Sequence, residues 1–424
     1  MLSIQCKSLA YHGTLLNDFV QHYILIAEYK KQNILLSVPN LYLHEKTRSS
    51  LQTSRRYATV ISMFYRFLET QKTFKSLTPG VYHTIVRNLD IKRWQVSRHT
   101  ERLRKGSARP SSATIFDDAL IVLNFFAWVV ESPFTCNVNI KKETWILNVK
   151  SDRMLNYIKK KAGIRIDSDP IRVLDRESRQ HHQNPLITDW EIKLLLESYP
   201  DSVYATMFCL ELATALRPVE LCTFPYLGKG KNKHILPRSQ MPKGETQFPY
   251  QTLGKGSKLR DVIIPAYALD DVEKSYTEKQ YAERRKKYKE KFGRACPPSI
   301  LFLTDEGEPV TPKKISDATT YAKKLAYAKN PNFSMLNDFY QARHWWPTMM
   351  MIQHHGERLL TDAADVLDRA LAQTIMDQMG HKSIVTTYKH YLNLARVLVM
   401  AKQGHVFEMI GEDFNIHHQI QDFG

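Results

Sequence analysis

The sequence has 424 residues, of which 43% are hydrophobic and 11% aromatic, a composition typical of folded globular proteins that excludes a disordered chain. Lys and Arg number 60 against 43 Asp and Glu, which gives a formal net charge of +17 at pH 7. An excess of this size favours a polyanionic partner, because each phosphate that a protein neutralises releases condensed counterions. A basic surface that is merely solvated is the alternative interpretation.

The sequence predicts a soluble, intracellular protein. Its five cysteines are scattered without a C-x-x-C pair, which argues against a zinc ribbon or a disulfide framework and favours a reducing compartment. The first residues lack the charged segment and apolar core of a signal peptide. The most apolar run, Ala119 to Val130, is too short to span a bilayer and is interrupted by Asn124.

Residues 1–45 form a segment to which we assign no role. A helix-like piece around Phe19 to Tyr29 is followed by a short apolar run that ends at Pro39. An accessory binding unit and a simple extension of the next domain are both open interpretations.

Residues 46–135 predict a helical domain, because apolar residues recur mostly every three or four positions. Ser50 and Ser111 each precede such a run and can cap a helix. Between the two helices, residues 90–110 are basic and contain Ser, Thr and Gly, a composition suited to contacts with a phosphate backbone. For any single residue there, a solvated loop is the competing interpretation.

Residues 136–184 predict an interdomain linker, since they are polar and weakly periodic and include the basic run Lys159–Lys161. The pair His181-His182 lies in this linker. It is more simply an exposed loop than a metal site, because no third ligand is spaced nearby.

Residues 185–410 resume the helical pattern, and residues 411–424 predict a loose tail. Thr188 and Glu191 have the spacing of a capping box, and residues 203–215 are apolar on most faces, which predicts a buried helix. Residues 254–258 form a Gly- and Lys-rich turn beside a β-branched run, the pattern of a hairpin. Residues 281–294 predict a strongly basic, solvated helix. The predicted fold class is mainly α with a small β-hairpin or sheet.

Four segments carry side chains suited to phosphodiester chemistry. They are Ala-Thr-Ala-Leu-Arg-Pro-Val-Glu-Leu at 213–221, Gly-Lys-Gly-Ser-Lys at 254–258, Tyr-Gln-Ala-Arg-His at 340–344, and residues 379–391, with a Gly-His step, a Thr-Thr pair and a tyrosine. An arginine offers a planar fork of donors to phosphate, and Glu220, three residues after Arg217, can orient that fork. Taken alone, this pair is more simply an ordinary surface ion pair.

In this order, the four segments resemble the motifs of the tyrosine recombinase (phage integrase) family. The first is similar to its first arginine box, the second to its lysine-bearing β-hairpin, the third to its H-x-x-R-H box and the fourth to its L-G-H box with the nucleophilic tyrosine. The motifs cover residues 185–410, and residues 48–135 are more weakly similar to the family's core-binding domain. The resemblance implies a helical core-binding domain and an α+β catalytic domain that form a clamp on DNA.

The resemblance also implies a mechanism. Tyr391 would attack the scissile phosphate, form a 3′-phosphotyrosine and release a 5′-hydroxyl. Arg217 and Arg343 would hold the non-bridging oxygens, Lys255 would protonate the leaving oxygen, and His381 would donate to a non-bridging oxygen. No metal ion, ATP or other cofactor is implied, because the energy of the phosphodiester is stored on the tyrosine.

Two departures from the family's pattern concern the base and the nucleophile. Tyr340 stands where the family usually has histidine, and a phenol with a pKa of about 10 is a poor base at neutral pH, although it can donate to phosphate. His344 is the alternative base, with helix packing as its other interpretation. Tyr388 is seven residues after His381 and Tyr391 is ten, against a usual gap of nine or ten, so we predict Tyr391 as the nucleophile.

The resemblance predicts a site-specific recombinase that integrates or excises a mobile element, in the cytoplasm and associated with the nucleoid. Its partner would be double-stranded DNA, with no small-molecule substrate and no membrane. Residues 392–409 can dock on a neighbouring protomer, so we expect a homotetramer on two duplexes. A type IB-like topoisomerase and a DNA-binding protein with a degenerate site are the alternatives. The candidate DNA contacts are Arg93, Arg98, Arg102, Arg104, Lys105, Arg260 and Lys258, which is also the alternative to Lys255.

Overall fold

The computed structural model describes residues 2–12, 19–144, 164–173, 186–254, 258–381 and 383–400. The chain forms two compact units, residues 1–182 and 183–424, and each has a hydrophobic core of its own. The elements given below confirm the predicted fold class, mainly α with small β elements.

The N-terminal unit combines a three-stranded antiparallel sheet with α-helices. Its strands are β1 (Ser3–His12), β2 (Phe19–Tyr29) and β3 (Gln32–Leu35), with a separate antiparallel pair, β4 (Lys142–Thr144) and β5 (Ile164–Ile166). Its helices are α1 (Ser37–Thr47), α2 (Leu51–Thr70), α3 (Asn88–Arg104) and α4 (Ser112–Glu131).

The helix predicted around residues 19–29 is wrong, because this segment is the central strand β2. Leu25 and Ala27 are fully buried, whereas Ile24 before them and Ile26 between them are only half-buried, and this alternation is the two-residue period of a strand. Leu25 and Ala27 share their core with the helices that follow. The first 45 residues therefore pack as an extension of the helical domain.

The predicted helices of this unit form, and the serines predicted to cap them do so. The hydroxyl of Ser50 accepts from the amide of Thr53 at 3.4 Å, and that of Ser111 from the amide of Thr114 at 3.2 Å. By length and composition α4 could cross a membrane, and it is the one such helix among the described residues. However, 56% of its most apolar window is buried within the protein, which marks it as a core helix.

Part of the predicted linker belongs to the N-terminal core. Val138 and Ile171 are buried there, and the side-chain amide of Gln95 on α3 donates to the carbonyl of Ile171 at 2.7 Å. The basic run 159–161 and the histidine pair at 181–182 lie outside the described residues.

The C-terminal unit is a helical body with one β-hairpin. Its helices are α5 (Asp189–Leu196), α6 (Ser202–Thr214), α7 (Pro218–Cys222), α8 (Ala266–Val272), which runs through a π-helical segment (Glu273–Tyr281) into α9 (Ala282–Phe292), α10 (Pro312–Lys329), α11 (Ala342–His355), α12 (Arg369–Met379) and α13 (Ile384–Met400). The hairpin strands are β6 (Gln247–Gly254) and β7 (Lys258–Pro265), paired from Gln247 with Pro265 to Gly254 with Lys258.

Three local predictions for this unit are confirmed. The capping box forms, with the amide of Thr188 donating to Glu191 Oε2 at 3.0 Å. Helix α6 is buried along most of its length, and the Gly- and Lys-rich segment separates two antiparallel strands.

The prediction that the basic helix 281–294 is solvated is wrong for Arg284. This residue is 7% exposed and forms an ion pair with Asp201 at 2.6 Å, because α9 packs against the loop that begins α6.

Candidate active site

Arg217 lies in the short connection between α6 and α7. Helix α6 ends at Ala215, whose left-handed backbone (φ 53°, ψ 29°) turns the chain, and Pro218 opens α7. Arg217 Nη1 donates to Glu220 Oε1 at 2.8 Å, and its backbone amide donates to Glu220 Oε2 at 2.7 Å. Glu220 is fully buried, so its carboxylate fixes both the main chain and the side chain of the arginine.

The C-terminal end of α12 gathers three arginines. The carbonyl of Met379 accepts from Arg217 Nη2 at 3.0 Å and from Arg343, the carbonyl of Gly380 accepts from Arg217 at 3.3 Å, and that of Gln378 accepts from Arg260. The last carbonyls of a helix have no partner within the helix and carry the negative end of its dipole. They therefore attract guanidinium groups, although no acidic side chain stands at 378–380.

Arg343 on α11 is 0% exposed, an unusual position for a charged group. Its two terminal nitrogens donate to the carbonyls of Ala215 and Met379, and its Nε is buried without a hydrogen-bond partner in the described part of the chain. Burial and the nearby Arg217 and Arg260 lower the pKa of Arg343 to about 10. The group therefore remains positively charged at neutral pH.

Arg260 does not face outward as a DNA contact, so this prediction is wrong. It donates to both oxygens of Glu220, and only 9% of its side chain is exposed. On β7 it shares a face with Val262 and Ile264, which are fully buried, and this two-residue alternation was the signal in the sequence that could have placed it inward. Burial opposes the ionisation of Glu220, but the hydrogen bonds from Arg260 and from the amide of Arg217, together with the charges of both arginines, outweigh it and lower the pKa.

The cluster carries a net positive charge, since the three arginines Arg217, Arg260 and Arg343 share one ionised carboxylate, Glu220. A second carboxyl, Glu211 on α6, is fully buried near Arg343, and both its oxygens lack a hydrogen-bond partner among the described residues. Burial raises the pKa of Glu211 well above its ordinary value, which favours the neutral acid. The excess charge therefore remains available to an anion.

His381 follows this helix end and lies beside Tyr391. Its Nδ1 is 3.0 Å from Thr387 Oγ1, whose single proton is donated to the carbonyl of Ser383 at 2.7 Å, so Nδ1 of His381 is the donor to Thr387. The rings of His381 and Tyr391 stack with centroids 6.2 Å apart and an interplanar angle of 11°. Burial, Arg343 and Arg217 lower the pKa of His381 to about 4.

Tyr391 on α13 is 0% exposed, and its hydroxyl lies 3.0 Å from Nδ1 of His344. Burial raises the pKa of this phenol, although the charge of Arg343 opposes the shift. Tyr340 is 44% exposed, and its ring centroid lies 5.6 Å from that of His344. Arg217, Arg343, His381 and Tyr391 thus meet in one place, with Tyr340 at its edge.

Tyr388, the alternative nucleophile, belongs to a different hydrogen-bond network. Its hydroxyl lies 2.8 Å from His355 Nε2 and donates to the carbonyls of Ala364 and Val366 at 3.2 Å. Among the described residues, no hydrogen bond joins it to the arginine cluster. Its ring is also buried, so the side chain of Tyr388 is engaged in packing and hydrogen bonds away from the arginine cluster.

Lys255 lies outside the described residues, but the residue before it is close to the arginines. A Cβ built on Gly254 would lie 3.3 Å from Glu220 Oε1 and 3.5 Å from Arg217 Nη1. The hairpin strand that leads to Lys255 therefore ends against the Arg217–Glu220 pair. Lys258, on the other side of the turn, is exposed.

The DNA contacts predicted in the N-terminal unit fall on helix α3, except for Lys105, which directly follows the helix. The prediction of Arg98 as a free phosphate contact is wrong. Its side chain folds back onto α4, forms an ion pair with buried Asp118 at 2.5 Å and is only 14% exposed. Arg102 donates to the carbonyl of Pro110 at 3.1 Å. The remaining candidates are exposed: Arg93, Arg104 and Lys105.

No group of three or more His, Cys, Asp or Glu side chains in the described ranges is placed to hold a metal ion. The cationic groups, by contrast, lie close together, and the side chains of Arg217 and Tyr340 are partly exposed to an approaching anion. The site thus combines a positively charged arginine cluster with the phenol of Tyr391 and the imidazoles of His344 and His381.

We expect Gly380→Ala to destabilise the protein and to disturb Arg260. Gly380 has a φ of +61°, which costs an L-residue about 1–2 kcal/mol, and a Cβ there would lie 2.8 Å from Arg260 Cδ. Gly293→Ala is the matched control, because Gly293 has a φ of +66° but nothing within 4 Å of its Cβ position. In urea unfolding, an equal loss of stability in the two variants would contradict a role for the contact with Arg260.

Comparison with known proteins gives matches in structure only. No model of a known protein family matches the chain. No curated protein matches its sequence.

Among solved structures, the chain is similar to the XerH site-specific recombinase bound to a difH substrate, with 12% identity over 84% of this chain and 80% of that chain, and a TM-score of 0.48. The Tn1549 transposon integrase in complex with circular intermediate DNA is 13% identical over 86% of this chain and 98% of its own, with a TM-score of 0.47. A lambda integrase dimer bound to a COC′ core site gives 13% identity over 84% and 95%, with a TM-score of 0.44. These proteins are tyrosine recombinases, the family that the sequence motifs resemble.

Proposed function

We propose that the protein is a site-specific tyrosine recombinase that cuts and rejoins double-stranded DNA through a 3′-phosphotyrosine. The observation that carries the proposal is the convergence of Arg217, Arg343 and His381 around the phenol of Tyr391 in a site of net positive charge. A phosphodiester brings the negative charge that this cluster lacks. The excess of basic residues in the whole chain favours the same polyanionic partner.

Arg217 is the group best placed to meet a non-bridging oxygen. Its Nη2 is held by the carbonyls of Met379 and Gly380 and one Nη1 proton by Glu220. Within the described residues, its Nε and its second Nη1 proton make no hydrogen bond, so two donors of the fork are available. Arg343 lies deeper and contributes its charge, which stabilises the extra negative charge of the pentavalent transition state.

The remaining steps are assigned to the hairpin, to α13 and to Tyr340. The phenolic oxygen of Tyr391 forms a bond to phosphorus, the bond from phosphorus to the 5′-oxygen breaks, and Lys255 supplies a proton to that oxygen. Tyr340, at the exposed edge of the site, donates a hydrogen bond to the phosphate. The reverse reaction with the 5′-hydroxyl of another strand exchanges the DNA ends without an external energy source.

We also propose that the protein acts in the cytoplasm and integrates or excises a mobile element. Exposed Arg93, Arg104, Lys105 and Lys258 would contact the backbone. A homotetramer on two duplexes is part of the proposal. On α13, which continues nine residues past Tyr391, Val397 is 61% and Met400 43% exposed, and such apolar groups favour contact with a neighbouring protomer.

A covalent-trapping experiment tests the proposed function. Supercoiled plasmids that carry the DNA encoding and flanking the protein are incubated with it and quenched with detergent. We expect protein bound covalently to a DNA 3′ end, a free 5′-hydroxyl that polynucleotide kinase can label, and phosphotyrosine after nuclease digestion. Cleavage that leaves both ends free of protein would contradict the proposal. Exchange of strands between two differently labelled duplexes then distinguishes a recombinase from a topoisomerase.

The low pKa of His381 predicts that DNA binding takes up a proton. With a pKa of about 4 in the free protein, His381 is neutral at pH 7. A phosphate anion offsets the repulsion from Arg343 and Arg217, so the pKa rises on binding and the imidazolium becomes a donor to the phosphate. Calorimetry of DNA binding at pH 7, in buffers of different ionisation enthalpy, measures this uptake. His381→Asn should remove most of it, and an unchanged uptake in that variant would refute the assignment.

A further inference from the structure

We propose that His344, the residue after Arg343 in the sequence, accepts the proton of Tyr391 during attack on the phosphate. Tyr340 is not required for that step. The inference rests on the proposed function and deepens it, because it assigns a step that Tyr340, as a phenol, performs poorly at neutral pH.

The geometry of the pair is that of a base and its nucleophile. Nδ1 of His344 and the hydroxyl oxygen of Tyr391 are 3.0 Å apart, within the reach required for proton transfer. In the described part of the chain, this is the one hydrogen bond that the Tyr391 hydroxyl makes. The residue comes from a different element than the nucleophile: His344 lies in the first turn of α11 and Tyr391 in the middle of α13.

The charge state of His344 suits a base. Burial, His390 and Arg343 lower its pKa to about 4, so the ring is neutral at pH 7. The groups that face it are the phenols of Tyr340 and Tyr391, the imidazole of His390, with its ring centroid 5.8 Å away, and the guanidinium of Arg343. None of them carries a negative charge at pH 7. With the proton on Nε2, the lone pair of Nδ1 accepts the phenolic hydrogen.

Neither of the other two imidazoles is placed for this role. Nδ1 of His381 is bound to Thr387, and the ring lies flat against that of Tyr391 at 11°. His390 meets the same ring at 69°, edge to face, and no hydrogen bond joins it to the Tyr391 hydroxyl among the described residues. His344 is the imidazole whose nitrogen points at the reacting oxygen.

The step balances in both directions. As the oxygen of Tyr391 bonds to phosphorus, its proton moves to Nδ1 of His344, the bond to the 5′-oxygen breaks, and that oxygen takes the proton of the general acid. The imidazolium forms next to Arg343, and the negative charge that develops on the phosphate offsets this cost. During rejoining, a 5′-hydroxyl attacks phosphorus and gives its proton to the deprotonated general acid. The bond from phosphorus to the oxygen of Tyr391 breaks, and His344 returns its proton to the departing phenolate.

The test compares His344→Asn with the matched control His390→Asn on a nicked substrate that traps the covalent complex. The substrate carries either oxygen or sulfur at the bridging 5′ position of the cut. We expect His344→Asn to slow trapping by about 10²–10⁴-fold. The loss should persist with the sulfur substrate, because a thiolate leaves without a proton but the phenol must still lose one. Lys255→Ala should be rescued by sulfur. His390→Asn removes an imidazole that meets the ring of Tyr391 but makes no hydrogen bond to its hydroxyl among the described residues, so it should stay within about tenfold of wild type on both substrates.

Further measurements keep the test decisive if Asn disturbs folding. His344→Gly supplied with free imidazole should regain activity, and the gain should grow with the fraction of neutral imidazole as the pH rises. Loss of DNA binding together with activity, with no response to imidazole, would indicate a packing role and overturn the inference. Rescue of His344→Asn by sulfur, or an equal loss in His390→Asn, would overturn it as well. If the proposed function itself were wrong, the wild-type protein would form a covalent complex with neither substrate, and this result would distinguish the two failures.

Discussion

Tyr391→Phe is expected to eliminate covalent attachment to DNA, with a loss on the order of 10⁴-fold or more in the rate of trapping, because the nucleophilic oxygen is absent. The substitution removes one hydroxyl and keeps the buried ring and its stacking on His381. DNA binding should therefore be nearly unchanged. The measurement is the yield of covalent complex on the nicked substrate, alongside binding by electrophoretic mobility shift.

Tyr388→Phe is the matched control, since it removes the same atom three residues earlier on the same helix. We expect it to retain trapping within a few-fold and to lose about 1–3 kcal/mol of stability, because His355 and two carbonyls lose a buried partner. Equal trapping by Tyr391→Phe and wild type would refute the nucleophile. Loss of trapping in Tyr388→Phe alone would transfer the role to Tyr388.

Glu220→Ala should produce the largest loss of stability in the site, about 3–5 kcal/mol, because it leaves buried guanidinium groups without their carboxylate. Glu220 is 0% exposed, and the side chains of Arg217 and Arg260 are 18% and 9% exposed. Repulsion among the three arginines would then push Arg217 from the helix end. We therefore expect covalent trapping to fall with stability. Equilibrium urea unfolding gives the first quantity and the nicked substrate the second.

The control for this variant is an exposed pair in the same unit, Glu283 and Lys287, 3.1 Å apart. Glu283→Ala should change stability by less than about 1 kcal/mol. A similarly small effect of Glu220→Ala would show that the arginines do not depend on the carboxylate.

The contribution of Glu220 to folding stability depends on pH in a definite direction. The folded-state pKa of Glu220 is below its ordinary value of 4.5, so its contribution is present above about pH 4.5 and is lost as the pH falls below it.

The sequence could predict which side chains form the candidate site because short motifs place them at fixed positions along the chain. Arg217, Arg343, His381 and Tyr391, which lie far apart in sequence, are brought together as the resemblance implied. The patterns of caps and turns were equally local, so the capping box at Thr188 and the hairpin were predictable.

Other features depend on contacts that a linear pattern does not record. The strand at 19–29 was misread because its exposed face is also apolar, which obscures the alternation between Ile24 and Leu25. Arg98 looked like a DNA contact because its partner, Asp118, lies on the next helix. The contact between Nδ1 of His344 and the hydroxyl of Tyr391 joins two helices, so the linear sequence could not show which group His344 faces.

The arginines at the end of α12 rest on main-chain oxygens, which every amino acid supplies. A substitution at 379 can therefore occur without removing the acceptors, provided that the core remains filled and Gly380 keeps its left-handed turn. Gln378 is constrained in addition by its buried side-chain amide, which bonds to Thr214 and Ile263. The positions of the three guanidinium groups thus depend on backbone geometry more than on the identity of the side chains at the helix end. A site built in this way tolerates wide divergence of sequence while its charge pattern stays in place.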